Sequence, residues 1–133
     1  MESSLPSGEN AKRVLSVLIV EDEVLIAMDW EFLIEAAGHR VIATTRTADA
    51  ALAADQMHGP DVALMDLRLA EGSSGIEAGE RLLNELNIRC IFLSGNLTTA
   101  TRARLEPLQP YAMISKPATP TQLLRALDRV TAR

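Results

Sequence analysis

Apolar residues fall along this chain in short blocks of two lengths. Val14–Val20 (VLSVLIV) is a compact β-branched run and predicts a buried strand. Val24–Ala37 is apolar over a helix's length, and Gly38 supplies a stop. Arg40–Thr44 predicts a second strand and Thr47–Gln56 an alanine-rich helix, broken by Gly59-Pro60. Asp61–Met65 predicts a third strand. Leu67–Ser74 is a loop rich in Gly and Ser, and Ser74-x-x-Glu77 is a capping-box pattern that opens a helix to about Leu86. Arg89–Leu93 predicts a fourth strand. Thr98–Glu106 predicts a weakly apolar helix closed by Pro107, and Tyr111–Ile114 a fifth strand. Thr119-Pro120-Thr121-Gln122 places Thr, Pro and Gln at the N-cap, N1 and N3 of a last helix. Strict alternation of five strands with five helices means an α/β fold, a parallel sheet covered on both faces.

Composition narrows the picture. The 133 residues amount to one domain. A net charge of −5 with one Trp, one Tyr and two Phe argues against nucleic-acid binding, which needs a basic face and stacking aromatics. The longest apolar runs, Val24–Met28 and Ala50–Ala54, are too short to span a bilayer. The start, Met-Glu-Ser-Ser, lacks a signal region, so a cytoplasmic chain is expected. Residues 1–13 are polar and aperiodic and predict a disordered lead-in, leaving 14–133 as the domain. Cys90 stands alone, which excludes an internal disulfide, and it predicts a small core residue rather than a redox site.

In an open parallel sheet, ligands bind beyond the carboxyl ends of the strands. The first strand is followed there by Glu21, Asp22 and Glu23, the third by Asp66, the fourth by Ser94-Gly95-Asn96 and the fifth by Lys116-Pro117. Converging carboxylates repel one another unless a cation offsets them. Mg²⁺ accepts one or two carboxylates together with water and phosphate oxygens. A lysine and a hydroxyl beside it suit phosphoryl oxygens, and a carboxylate can itself accept the phosphoryl group. The set reads as Mg²⁺-dependent phosphoryl transfer onto an aspartate. Taken singly, each residue has a plainer explanation: acids at a helix N-terminus, a turn aspartate, a turn serine, a surface lysine. Their coincidence at one sheet edge favours chemistry.

The segments VLIVEDE, DVALMDLRL, CIFLSGN and ISKP resemble, in order, the four signatures of the response-regulator receiver domain of two-component signalling, over nearly the whole chain from Val14. The resemblance implies a (βα)5 flavodoxin-like fold with strand order 2-1-3-4-5. It implies that Asp66 is the phosphoacceptor, and that Glu21, Asp22, Asp66 and the backbone carbonyl of Arg68 hold Mg²⁺. Ser94 would follow the phosphoryl oxygen, and Lys116 would face it from a cis bond to Pro117. It further implies a histidine kinase or histidine phosphotransfer protein as donor and a downstream protein target, with homodimerisation on phosphorylation among its options. Self-phosphorylation and autodephosphorylation would be the only intrinsic activities, with no output domain. The Phe92–Asn96 run and the Leu25–Trp30 helix resemble a subgroup of alphaproteobacterial single-domain receivers.

Departures from the family pattern carry expectations of their own. Glu21 stands where many relatives have Asp, so its extra methylene points to a water-mediated metal contact. The 67–74 loop is one residue longer and lacks a common proline, which suggests unusual flexibility. Met113 occupies the usual place of a switch aromatic, and strand alternation would point Tyr111 the same way. Arg68 and Asn96 are expected to flank the path of the hydrolytic water. In the first helix, Ile26, Trp30, Leu33 and Ala37 form a sheet-facing stripe, and Leu25, Met28, Phe32 and Ala36 form a second. The second either packs on the last helix through Leu123, Leu124 or Leu127, or serves as a docking face. Two rival readings remain. A Mg²⁺-dependent phosphohydrolase would place its nucleophile after the first strand, where Glu21 is the wrong residue. A degenerate receiver acting only as an interaction domain would not need Asp22, Asp66, Ser94 and Lys116 together.

Overall fold

The computed structural model describes residues 13–130; the expected lead-in lies almost wholly outside them. Five strands, β1 (Ser16–Val20), β2 (Arg40–Thr45), β3 (Val62–Asp66), β4 (Cys90–Ser94) and β5 (Ala112–Ser115), form one sheet in the order β2-β1-β3-β4-β5. Every pairing is parallel. The crossovers are α1 (Val24–Ala36), α2 (Ala48–His58), α3 (Gly75–Leu86) and α4 (Thr99–Leu105), and α5 (Pro120–Asp128) follows β5. Short 3-10 turns occupy Ala70–Gly72 and Glu106–Leu108.

Residues of period two explain the layers. Val17, Ile19, Val62, Leu64, Ile91 and Leu93 face one side and meet Trp30 and Ile34 of α1 and Leu123 and Leu127 of α5. Leu18, Val20, Ala63, Met65, Cys90 and Phe92 face the other and meet α2, α3 and α4. The central strands are therefore apolar throughout, as a sheet covered on both faces requires. Growth reverses between β1 and β3, and the carboxyl ends there form the crevice of the fold.

Several expectations change. β3, β4 and β5 each run one residue further than their apolar blocks, so Asp66 and Ser94 are the last residues of strands rather than the first of loops. Pro107 does not end the chain's helical path. It sits at the start of a 3-10 turn, where no N–H is needed, and Leu105 and Leu108 on either side are buried. In α3, Ser74 Oγ accepts from the N–H groups of Ile76 and Glu77, and the left-handed Asn87 closes the helix. The full capping box forms at α5, between Thr119 and Gln122. The 67–74 loop is tied down rather than loose: Arg68 bridges Ser74, Ala70 N donates to Arg46 O (3.2 Å) and Ala48 N to Ser73 Oγ (3.1 Å).

α1 buries Ala27, Trp30 and Ile34, with Ile26 and Leu33 half-buried beside them. The seam is thus rotated from the expected Ile26-Trp30-Leu33-Ala37 stripe. Leu25, Met28 and Phe32 stay 77%, 58% and 74% exposed. The expected cover from α5 is absent because Leu123 and Leu127 pack into the same sheet-facing cluster as Trp30 and Ile34.

Candidate functional site

Parallel register delivers the site. Asp66 pairs with Leu93 and Ser94 with Ser115, so β3, β4 and β5 end nearly level. Glu21 leaves β1 with its N–H on Thr45 O (2.9 Å), and Lys116 leaves β5 with its N–H on Ser94 O (2.8 Å). The Lys116–Pro117 peptide is cis, as the resemblance implied.

Glu21, Asp66 and Ser94 are buried, and Asp22 and Lys116 are half-buried. Lys116 Nζ lies 3.1 Å from Glu21 Oε1 and 3.4 Å from Asp66 Oδ1. The other Glu21 oxygen accepts from Glu23 N at 3.0 Å. Burial pushes the Glu21 carboxyl above its ordinary pKa; the Glu23 N–H and Lys116 pull the other way, and Asp66 adds to the rise. Burial opposes the Lys116 charge, but the hydrogen bond to Glu21 and the fields of Asp66 and Glu21 prevail, so its pKa is raised. Ser94 Oγ accepts from Asn96 N at 3.0 Å.

Glu21, Asp22 and Asp66 each offer a carboxylate oxygen within 4.8 Å of the others. Three hard oxygen donors so close suit a divalent cation with oxygen preference. Glu21 differs from the expected water-mediated role in one respect: one of its oxygens already holds Lys116 and the other a backbone N–H. Its carboxylate spends much of its capacity fixing the lysine.

Asp22, Asp66, Ser94 and Lys116 line an open cleft of about 680 Å³ with Arg68, Ser73, Ser74 and Gly95. Arg68 and Asn96 meet at a neighbouring hollow of about 400 Å³ with Ser94 and Thr101. Glu21, Asp22, Asp66, Arg68, Ser94, Asn96 and Lys116 thus come to one edge, and the candidate switch aromatic does not. Tyr111 precedes β5, so strand alternation does not reach it. It packs with the α1–α5 cluster, beneath Arg89 at 4.1 Å, whereas Met113 packs with the opposite cluster. One neighbour escaped notice. The Trp30 ring lies 5.9 Å from Lys116 Nζ, a contact between distant residues for which the sequence carries no signal.

A second hollow of about 580 Å³ adjoins the cleft and shares Ile26 and Lys116 with it. Trp30, Phe32, Leu33, Pro117 and Ala118 line it, so its walls are largely apolar.

Comparison with known proteins places the chain in a family. The family model described as response regulator receiver domain matches residues 17–128. The chain is 38% identical over 123 residues to the phyllosphere-induced regulator PhyR of Methylorubrum extorquens, covering 90% of this chain and 44% of that protein. It is 36% identical over 105 residues to the polar-differentiation response regulator DivK of Brucella abortus (strain S19), covering 77% and 84%. The crystal structure of the response regulator PhyR from Brucella abortus superposes with a TM-score of 0.77 at 34% identity, covering 93% of this chain and 51% of that one. The chain spans about half the length of the PhyR proteins it matches.

Proposed function

The chain belongs to the response regulator receiver domain family, and we propose that it accepts a phosphoryl group on Asp66 and signals by changing a protein-binding face. The observation that carries this reading is Asp66 at the end of β3, its carboxylate facing Lys116 Nζ at 3.4 Å and grouped with Asp22 and Glu21.

Glu21, Asp22 and Asp66, with the Arg68 backbone carbonyl, would hold Mg²⁺, whose charge offsets that of the phosphoryl oxygens. An Asp66 oxygen forms the new bond to phosphorus while the bond from phosphorus to the donor breaks. From a phosphohistidine, the imidazole nitrogen keeps the electron pair and takes up a proton. Lys116, held by Glu21, lies where it can pair with the transferred group. Ser94 would exchange its Asn96 N–H contact for one in which its hydroxyl donates to a phosphoryl oxygen. This is phosphoacceptor chemistry with self-phosphorylation and autodephosphorylation, in a cytoplasmic setting; no helix among the described residues is long and apolar enough to cross a membrane.

The donor would be a histidine kinase or histidine phosphotransfer protein, and it would dock on α1, where Leu25, Met28 and Phe32 stand exposed and Phe32 lines the hollow next to the cleft. The downstream target would be a protein: one PhyR relative is described as an anti-anti-sigma factor. Acetyl phosphate with Mg²⁺ tests the central step. A phosphoryl adduct is expected by intact-mass measurement on the native chain and none on Asp66→Asn. An equal yield on that variant would sink the assignment.

A further inference from the structure

Gly75 is the first residue of α3 and is buried. A Cβ built on it would lie 2.1 Å from the carbonyl oxygen of Asp66 and 2.6 Å from Leu67 Cα, far inside the 3.0 Å that real Cβ atoms keep. The first turn of α3 therefore rests directly on the last peptide of β3. Gly75 N donates to Leu67 O at 3.0 Å, so the two backbones are bonded as well as touching.

Neither side can easily give way. β3 is held between β1 and β4, with Met65 opposite Val20 and Asp66 opposite Leu93. Leu67 N is fixed on Leu93 O at 3.1 Å. On the helix side, Ser74 Oγ caps Ile76 N and Glu77 N, and the preceding Ser73 Oγ takes the N–H of Ala48.

Resting on the proposed role of Asp66, we propose that Gly75 is a positioning residue for the phosphoacceptor. Its missing side chain lets α3 seat against the Asp66 peptide and fixes the carboxylate's height over Lys116 and the acidic pair. Any side chain there must move that peptide or the helix start by about 1 Å, a displacement that can cost on the order of 100-fold in rate.

A second glycine on the same helix separates positioning from packing. A Cβ on Gly79 would meet the Phe92 ring at 2.7 Å, in the core and away from the Asp66 backbone. The test measures initial rates of adduct formation from acetyl phosphate, and Mg²⁺ affinity by Trp30 fluorescence, in native protein, Gly75→Ala and Gly79→Ala, at a temperature where circular dichroism shows all three folded. Gly75→Ala is expected to slow labelling about 10- to 100-fold and to weaken Mg²⁺ binding. Gly79→Ala is expected to lower Tm while labelling stays within about twofold of native. Native labelling in Gly75→Ala, or an equal loss in both variants, overturns the inference. Should Gly75→Ala not fold, Ser74→Ala carries the test. It adds no atom but frees the start of α3, and slower labelling with weaker Mg²⁺ binding is expected; native values for both overturn the inference. Failure of the native chain to label would strike at the role of Asp66 instead, and Mg²⁺ affinity would still judge Gly75.

Discussion

Lys116 is held by two carboxylates distant from it in the chain, Glu21 just past β1 and Asp66 at the end of β3. Residue types and strand ends made Asp22, Asp66, Ser94 and Lys116 legible in the sequence. The Glu21–Lys116 pair was not, because nothing local links positions so far apart. Its energetics yield a prediction. Burial holds the Glu21 carboxyl above its ordinary pKa. A raised acid contributes stability below its unfolded pKa and loses it as pH rises through the folded value. Glu21→Gln removes that buried charge and, with it, a partner of Lys116, so in EDTA the difference in Tm between variant and native chain is expected to shift in the variant's favour as the pH rises from about 4 to 7, which thermal scans at several pH values check. Cys90 gives a second prediction. Burial alone pushes its thiol up to about 12, so the native protein should resist a thiol reagent at pH 8 that labels the unfolded chain stoichiometrically. Rapid native labelling would show that β4 opens.

Among the elements, α4 has the weakest hold. It is seven residues long and buries only Leu105, whereas α3 buries Gly75, Ala78, Gly79 and Leu82 and α5 buries Leu123, Ala126 and Leu127. Few buried contacts mean low local stability. Ser94, the proposed reader of the phosphate, is bonded through Asn96 N at the entry to this helix. Hydrogen exchange with and without beryllofluoride as phosphate mimic is expected to differ most between Leu97 and Ile114; a maximum elsewhere would displace the switch from this face. The existence and order of the elements were legible because their apolar blocks keep strand or helix length. Their ends were less so. Hydrophobicity marks where a strand is buried, but hydrogen bonding carries β3 and β4 on through Asp66 and Ser94. The 67–74 loop misled for a related reason: its Gly and Ser content suggests freedom, while its restraints come from Arg46 and Ala48 on another connection.

At the scale of the whole molecule, an apolar cluster covers each face of the sheet, yet among the described residues one stripe of α1 is left exposed. Periodicity showed two stripes on that helix but could not say which was covered, since coverage depends on where α5 lies. Leu123 and Leu127 go to the sheet-facing cluster, and Leu25, Met28 and Phe32 remain in contact with solvent. Exposure has a cost to solubility that a folded chain has no structural need to carry, and Phe32 of the stripe lines the hollow that adjoins the cleft holding Asp66. A donor bringing a phosphohistidine to Asp66 must cover this edge. Charged residues at exposed positions away from buried features usually change stability by no more than about 0.5 kcal/mol. The double variant Met28→Glu, Phe32→Glu is accordingly expected to keep native Tm within a few degrees and native labelling by acetyl phosphate. Transfer from a phosphorylated histidine kinase or phosphotransfer protein should fall at least about tenfold, the loss of roughly 1.4 kcal/mol or more of docking energy. Unimpaired transfer would remove α1 as the docking face, and unfolding of the variant would show the stripe to be part of the core after all.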